Sequence, residues 1–183
     1  MAVAMLAFLF GFLGAGAASA DIQAHWADND PAFPRGYAYI HDETGAWAPV
    51  YTAAIGWDSE SRLDLTYTSG SCTSNHCVPF SEGHMGIRGC DASKGMVGLT
   101  TWYSSSAGHL LYGTHTEVDS DCSTRGYSAR LELVCHEMGH TLSLDERGPG
   151  AFSCMRDGVD LGTQTNGDAS DFADLHAAYN HND

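Results

Sequence analysis

Lysine is almost absent from this chain of 183 residues: Lys94 stands with seven arginines against 23 acidic side chains, a formal charge of -15. A surface of that sign repels phosphate backbones and anionic lipid, which argues against nucleic acid as a partner. No CxxC pair occurs, the nearest two cysteines being Cys72 and Cys77, so a structural zinc site built on paired cysteines has little support. There is no internal repeat and no sign of a second domain. With 43% apolar and only 17% charged residues, disorder, collagen and coiled coil are excluded, and the length suffices for one cored domain.

Residues 1–20 (MAVAMLAFLFGFLGAGAASA) carry no charge and end in Ala18-Ser19-Ala20 before Asp21, which reads as a signal peptide and its small-residue cleavage site. An uncleaved anchor is the alternative, because the basic residues usual at the start of a signal are missing. The glycines and serine near the end of the run favour cleavage. A secreted mature chain follows, with no stable membrane association. All six cysteines (Cys72, Cys77, Cys90, Cys122, Cys135, Cys154) lie beyond the cut, so disulfides are expected in an exported chain.

Residues 21–36 hold Pro31 and Pro34 without an apolar period and read as an extended N-terminal segment. Tyr37 to His41 alternates as a strand does. Trp47, Val50, Tyr51, Ala54 and Trp57 recur at helical spacing, and Leu63, Leu65 and Tyr67 return to a period of two. This unit suits two parallel strands joined by a helix. Gly70 to Ser81 reads as a disulfide-tethered loop, and His84 to Cys90, Val97 to Tyr103 and His109 to Val118 as strands. Ser128 is placed to cap a helix starting near Ala129, and a last helix starts near Asp168 with Phe172, Leu175 and Tyr179 on its core face.

Inside the first of these helices stands His136-Glu137-Met138-Gly139-His140, an HExxH sequence whose i,i+4 spacing puts both imidazoles on one face, able to share a metal ion. With 10 His and 7 Glu in the chain, chance yields about 0.02 such motifs. A neighbouring carboxylate can take a proton from zinc-bound water and pass it to a leaving amine. The helical pattern stops after Leu142, so Asp145 and Glu146 arrive as the chain turns, and Ser153-Cys154-Met155 follows close behind.

HEMGHTLSLDE followed by SCM resembles the metzincin metalloproteases, whose pattern is HExxHxxGxxH or HExxHxxGxxD with a later methionine turn. Matrixin-like secreted bacterial members are the nearest in kind, snapalysin-like ones second. The resemblance implies an α+β, zincin-like domain over residues 37–183: a mixed five-stranded sheet, an active-site helix and a small C-terminal subdomain. It implies His136 and His140 as zinc ligands, Glu137 as general base and Met155 as the methionine beneath the metal. Val97 to Tyr103 becomes the antiparallel edge strand along which a protein or peptide substrate pairs. Two positions depart from the pattern. Ser143 stands at the turning glycine, where a non-glycine residue at positive φ costs about 1 kcal/mol. Glu146 stands at the third ligand; a two-His, one-Glu set is a sound catalytic combination, and Asp145 is the competing candidate.

Cys135 and Cys154 directly precede His136 and Met155, so if those two meet around one metal, the cysteines must meet as well and form a disulfide. Cys72 with Cys77 and Cys90 with Cys122 is one open arrangement of the rest. His109 and His115 are weaker candidates for a second metal, and His176 and His181 read as solvent-facing. Asp157, Asp160 and Asp168 could take Ca2+, although their spacing does not match an EF-hand. The function expected is a secreted zinc-dependent metalloendopeptidase. The alternatives are a secreted zinc-binding domain that has lost proteolysis, and a disulfide-stapled domain without metal.

Overall fold

The computed structural model describes residues 25–26, 36–59, 63–72, 76–86, 89–104, 108–110, 113–157 and 161–179. Residues 1–20, read as a signal peptide, and nearly all of 21–36, read as an extended segment, lie outside these residues.

The strands are β1 (Gly36–Asp42), β2 (Leu63–Thr68), β3 (Cys77–Gly83), β4 (Gly98–Thr101) and β5 (His115–Asp119), and the helices α1 (Val50–Asp58), α2 (Tyr127–Thr141) and α3 (Ala169–Ala178). The sheet order is β2-β1-β3-β5-β4. Neighbours are parallel except β4, which runs antiparallel to β5 with Gly98 opposite Val118 and Thr101 opposite His115. This is the mixed five-stranded α+β sheet expected, with α1 as the crossover between β2 and β1 and with β4 at the edge.

Strand periodicity accounts for the core. In β1, Ala38 and Ile40 turn inward, and in β3 Val78 and Phe80 do the same, all at 1% exposure or less. Against this layer α2 buries Leu133, Val134 and Met138, and α1 buries Val50, Ala54 and Trp57. The indole of Trp57 donates to the Cys135 carbonyl at 3.0 Å, which sets the two helices against each other. Trp26, fully buried, donates from its indole to the Thr141 carbonyl at 3.1 Å and occupies the C-terminal end of α2.

Several boundaries differ from the sequence reading, each for a local reason. The tethered loop read over Gly70 to Ser81 ends at His76, and β3 begins at Cys77; Pro79 and the surrounding polar residues masked its inward Val78 and Phe80. The described residues of the strand read over His84 to Cys90 form no strand, because Gly86, Gly89 and Cys90 all take positive φ (78°, 73° and 53°). In the strand read over His109 to Val118, Gly113 at φ 103° delays β5 to His115, and β4 is shorter than Val97 to Tyr103. Helix α2 starts at Tyr127 behind Gly126, so Ser128 is no cap. Trp47 precedes α1, and its indole donates to Glu82 Oε1 at 2.7 Å.

Three disulfides join Cys72 to Cys77, Cys90 to Cys122 and Cys135 to Cys154, the arrangement left open and the pairing expected. The last ties the middle of α2 to the turn before Met155. Replacing Cys135 and Cys154 together by serine is expected to lower unfolding free energy by about 3 kcal/mol, read as a lower urea midpoint with a steeper slope, since the uncrosslinked unfolded chain is more expanded.

Candidate metal centre

The last turn of α2 closes on a Schellman motif. The Ser143 N–H donates to the His140 carbonyl (2.9 Å) and the Leu144 N–H to the Gly139 carbonyl (3.1 Å), while Ser143 takes the left-handed conformation at φ 66°. Ser143 therefore does what the turning glycine would do. Because the chain reverses there, Leu144 comes back beside His140, and its carbonyl accepts the His140 Nδ1 hydrogen at 2.7 Å.

His136 is held in the same way, its Nδ1 lying 2.8 Å from the Cys154 carbonyl. A carbonyl can only accept, so both imidazoles carry their proton on Nδ1 and turn an Nε2 lone pair toward the other, 3.0 Å apart. Two facing lone pairs repel unless a cation lies between them. Burial lowers both histidines, His140 to about 4 with the help of nearby His136, which keeps the rings neutral and available as ligands. Glu146 brings Oε1 to 3.9 Å from His136 Nε2, and one donor atom each from His136, His140 and Glu146 lies within 4.8 Å of the others. Asp145 does not join this group. Two imidazole nitrogens and one carboxylate oxygen on an open face form a donor set suited to zinc.

Glu137, 4% exposed, faces the same cleft. Burial pushes its carboxyl up to about 8, opposed by the Thr100 hydroxyl and aided by the charge of Glu146. Thr100 on β4 lies 3.0 Å from Glu137 Oε2 and 2.9 Å from the Thr116 hydroxyl, so two strands hold the carboxylate in place. The adjacent Gly98 makes room for it, since a Cβ there would overlap the Glu137 carboxylate. Gly139 does the same for Met155: a Cβ would overlap the Met155 sulfur and reach Trp57 Cζ2 at 3.0 Å. Met155 is fully buried directly under the HExxH turn.

The cleft holds about 470 Å³ and runs between β4 and α2, with Arg156 and Leu161 on its far wall. Glu132, one turn before His136, organises that wall: it accepts the N–H groups of Gly162, Thr163 (2.7 Å) and Gln164 (3.1 Å) and pairs with Arg156 at 3.0 Å.

No protein-family model and no curated protein matches the sequence. Among solved structures, myroilysin superposes with a TM-score of 0.51 at 11% identity, over 89% of this chain and 99% of that one. The chain shares the fold of that protein. A crystal structure of myroilysin (TM-score 0.48, 11% identity, 91% of this chain and 94% of that one) is also similar. So is archaemetzincin from Archaeoglobus fulgidus complexed with malonate (TM-score 0.41, 11% identity, 75% and 99%).

Within this fold, His136, Glu137, His140 and Glu146 meet at one cleft, and Met155, Cys135 and Cys154 pack beneath it. Sequence reading missed Thr100 and Gly98, which reach Glu137 from 37 and 39 residues away, and Glu132 and Arg156, which carry no motif of their own. Of the weaker candidates, His115 bonds the Gly113 carbonyl at 3.0 Å and His109 packs against the His25 ring, and neither joins a metal-ligating group among the described residues. Asp168 caps α3, His176 is exposed, and Asp160 and His181 lie outside the described residues. Phe172, Leu175 and Tyr179 line the core as expected, the first of them half-buried.

Replacing Gly98 with alanine is expected to displace the Glu137 carboxylate. On the function proposed below, kcat should fall at least tenfold with zinc content by elemental analysis unchanged.

Proposed function

We propose that the chain is a secreted zinc metalloendopeptidase, with His136, His140 and Glu146 as ligands and Glu137 as general base. The observation that carries the reading is the pair of Nε2 lone pairs facing each other 3.0 Å apart, beside a third donor and a buried carboxylate. That arrangement is unfavourable without a cation and favourable with one. Zinc, when bound, polarises the scissile carbonyl and acidifies water at neutral pH. Three disulfides are in keeping with export. Release of residues 1–20 completes the proposal.

The chain's own residues do the rest. The substrate peptide adds as a strand along β4, whose outer edge is unpaired in the sheet order and which carries the exposed Leu99. Glu137 takes the proton of the attacking water and delivers it to the leaving amine. Thr100, with its proton directed at Glu137, keeps that carboxylate from swinging out of line.

Cleavage of casein by the purified mature protein, abolished by a chelator and restored by zinc, is the expected result. Stoichiometric zinc without cleavage would favour a zinc-binding domain that has lost proteolysis, and no zinc would leave a disulfide-stapled domain. Glu146→Ala is expected to weaken zinc binding at least tenfold and Asp145→Ala to leave it near wild type, measured by competition with a chromogenic chelator. The reverse outcome would move the third ligand to Asp145.

A further inference from the structure

We propose that His84, Asp119 and Asp121 form a second divalent-metal site, of the zinc class, bracing the upper rim of the cleft. The sheet itself assembles it. Gly83 at the end of β3 pairs with Asp119 at the end of β5, so His84, the next residue, emerges beside Asp119. The Asp121 N–H then donates to Asp119 Oδ1 at 3.0 Å, which brings a second carboxylate round to the same side. His84 Nδ1 lies 4.0 Å from Asp119 Oδ1 and 3.9 Å from Asp121 Oδ1.

Asp119 is what calls for a ligand. Its side chain is completely buried, and its Oδ2 has no hydrogen-bond partner. A carboxylate taken out of water with one oxygen unsatisfied is costly unless it is paired or coordinates a metal. Among the described residues its basic neighbour is His84, which is 69% exposed and at 4.0 Å makes no hydrogen bond with it. The three donor atoms lie within 4.8 Å of one another, close enough for the exposed His84 ring to close on a zinc ion held at about 2.0–2.2 Å. The exposure of His84 leaves the remaining positions to water.

The donor set selects the cation. Calcium and magnesium take oxygen ligands and rarely an imidazole, whereas one imidazole with two carboxylates suits zinc and its neighbours. The position gives the site a purpose. The Asp119 N–H donates to the Val97 carbonyl at 2.9 Å, next to β4. Cys122, in the 3-10 turn Ser120–Thr124 that carries Asp121, is bonded to Cys90, and from there the chain runs through Ala92, Gly95 and Met96 along the rim of the cleft. A metal at this point fixes the two strand ends from which that rim hangs.

The test is zinc stoichiometry of the purified mature protein and of His84→Ala, His140→Ala and the double variant, after dialysis to remove loosely held metal, with thermal melting alongside. The exposed His84 can be removed without disturbing the core, and Asp121→Asn serves as an independent second variant. The expected result is two zinc ions in the wild type, one in each single variant and none in the double variant, with zinc raising the melting temperature of His140→Ala but not of the double variant. A wild type with one zinc, lost in His84→Ala and kept in His140→Ala, would uphold this site and refute the HExxH centre. One zinc in both wild type and His84→Ala, or two in both, would overturn the proposal. So would calcium stabilising His140→Ala where zinc does not.

Discussion

Glu137→Gln is expected to reduce peptide hydrolysis by about 10³-fold while zinc content stays at the wild-type level, because the amide keeps the shape of the carboxylate but cannot accept a proton. The same substitution carries a stability signature. In the metal-free folded protein burial holds the Glu137 carboxyl at about 8, whereas in the unfolded chain it titrates near its ordinary value of 4.5. Between those values the folded state binds a proton that the unfolded state has released, so the contribution of Glu137 to stability falls as pH rises and levels off above 8. The metal-free Gln variant should therefore match the wild type at pH 4.5 and exceed it at pH 8 by an amount on the order of a few kcal/mol, read from urea melts. His136 and His140 act in the opposite sense at lower pH: with folded values below 6.5, they weaken the metal-free protein as pH falls from 6.5 toward 4. A Gln variant that cleaved at the wild-type rate would place the base elsewhere.

How much of this was legible beforehand depended on whether a feature was local. The i,i+4 imidazoles, the reversal at Ser143 and the acidic residues beyond it all lie within 11 residues, where helical geometry and turn chemistry decide the outcome. The Cys135–Cys154 bridge was legible through its neighbours, since His136 and Met155, the residues that follow, come together at the HExxH turn. Strand β3 was not, because a cysteine, a proline and flanking Ser and Asn hid an inward pair that is recognisable only once β1 and β5 lie on either side. Gly98 and Thr100 carry no periodic signal at all. Their meaning arises from the antiparallel register of β4 with β5, which sets them against a carboxylate on α2. The same holds for His84 and Asp119, which strand register alone makes neighbours.

Arg147→Met is expected to destabilise the protein by about 3–5 kcal/mol, the range for removing one partner of a buried ion pair. Arg147 is 5% exposed and follows directly on Glu146. Its Nε donates to Asp171 at 2.7 Å and a terminal nitrogen to Asp174 at 2.8 Å, both on α3. Asp171 is wholly buried and also accepts the Ser153 hydroxyl and the Asp168 N–H (2.7 Å), while the Met155 N–H donates to Ser153 Oγ at 2.9 Å. The backbone of Arg147 completes the link, its N–H donating to the Met155 carbonyl at 2.7 Å. One guanidinium thus locks α3, the methionine turn and the segment bearing Glu146 together, and its loss leaves the Asp171 charge in the interior with neutral partners only. Since the Cys154 carbonyl in that turn holds the His136 ring, zinc affinity should fall with stability, by about 10- to 100-fold. The double variant Arg147→Met/Asp171→Asn should lose less than the sum of the single variants, because it removes the stranded charge along with its partner. Strict additivity in that cycle, or a cost below about 1 kcal/mol for Arg147→Met, would mean that the pair does not hold the turn and that Met155 is positioned by packing against Gly139 alone.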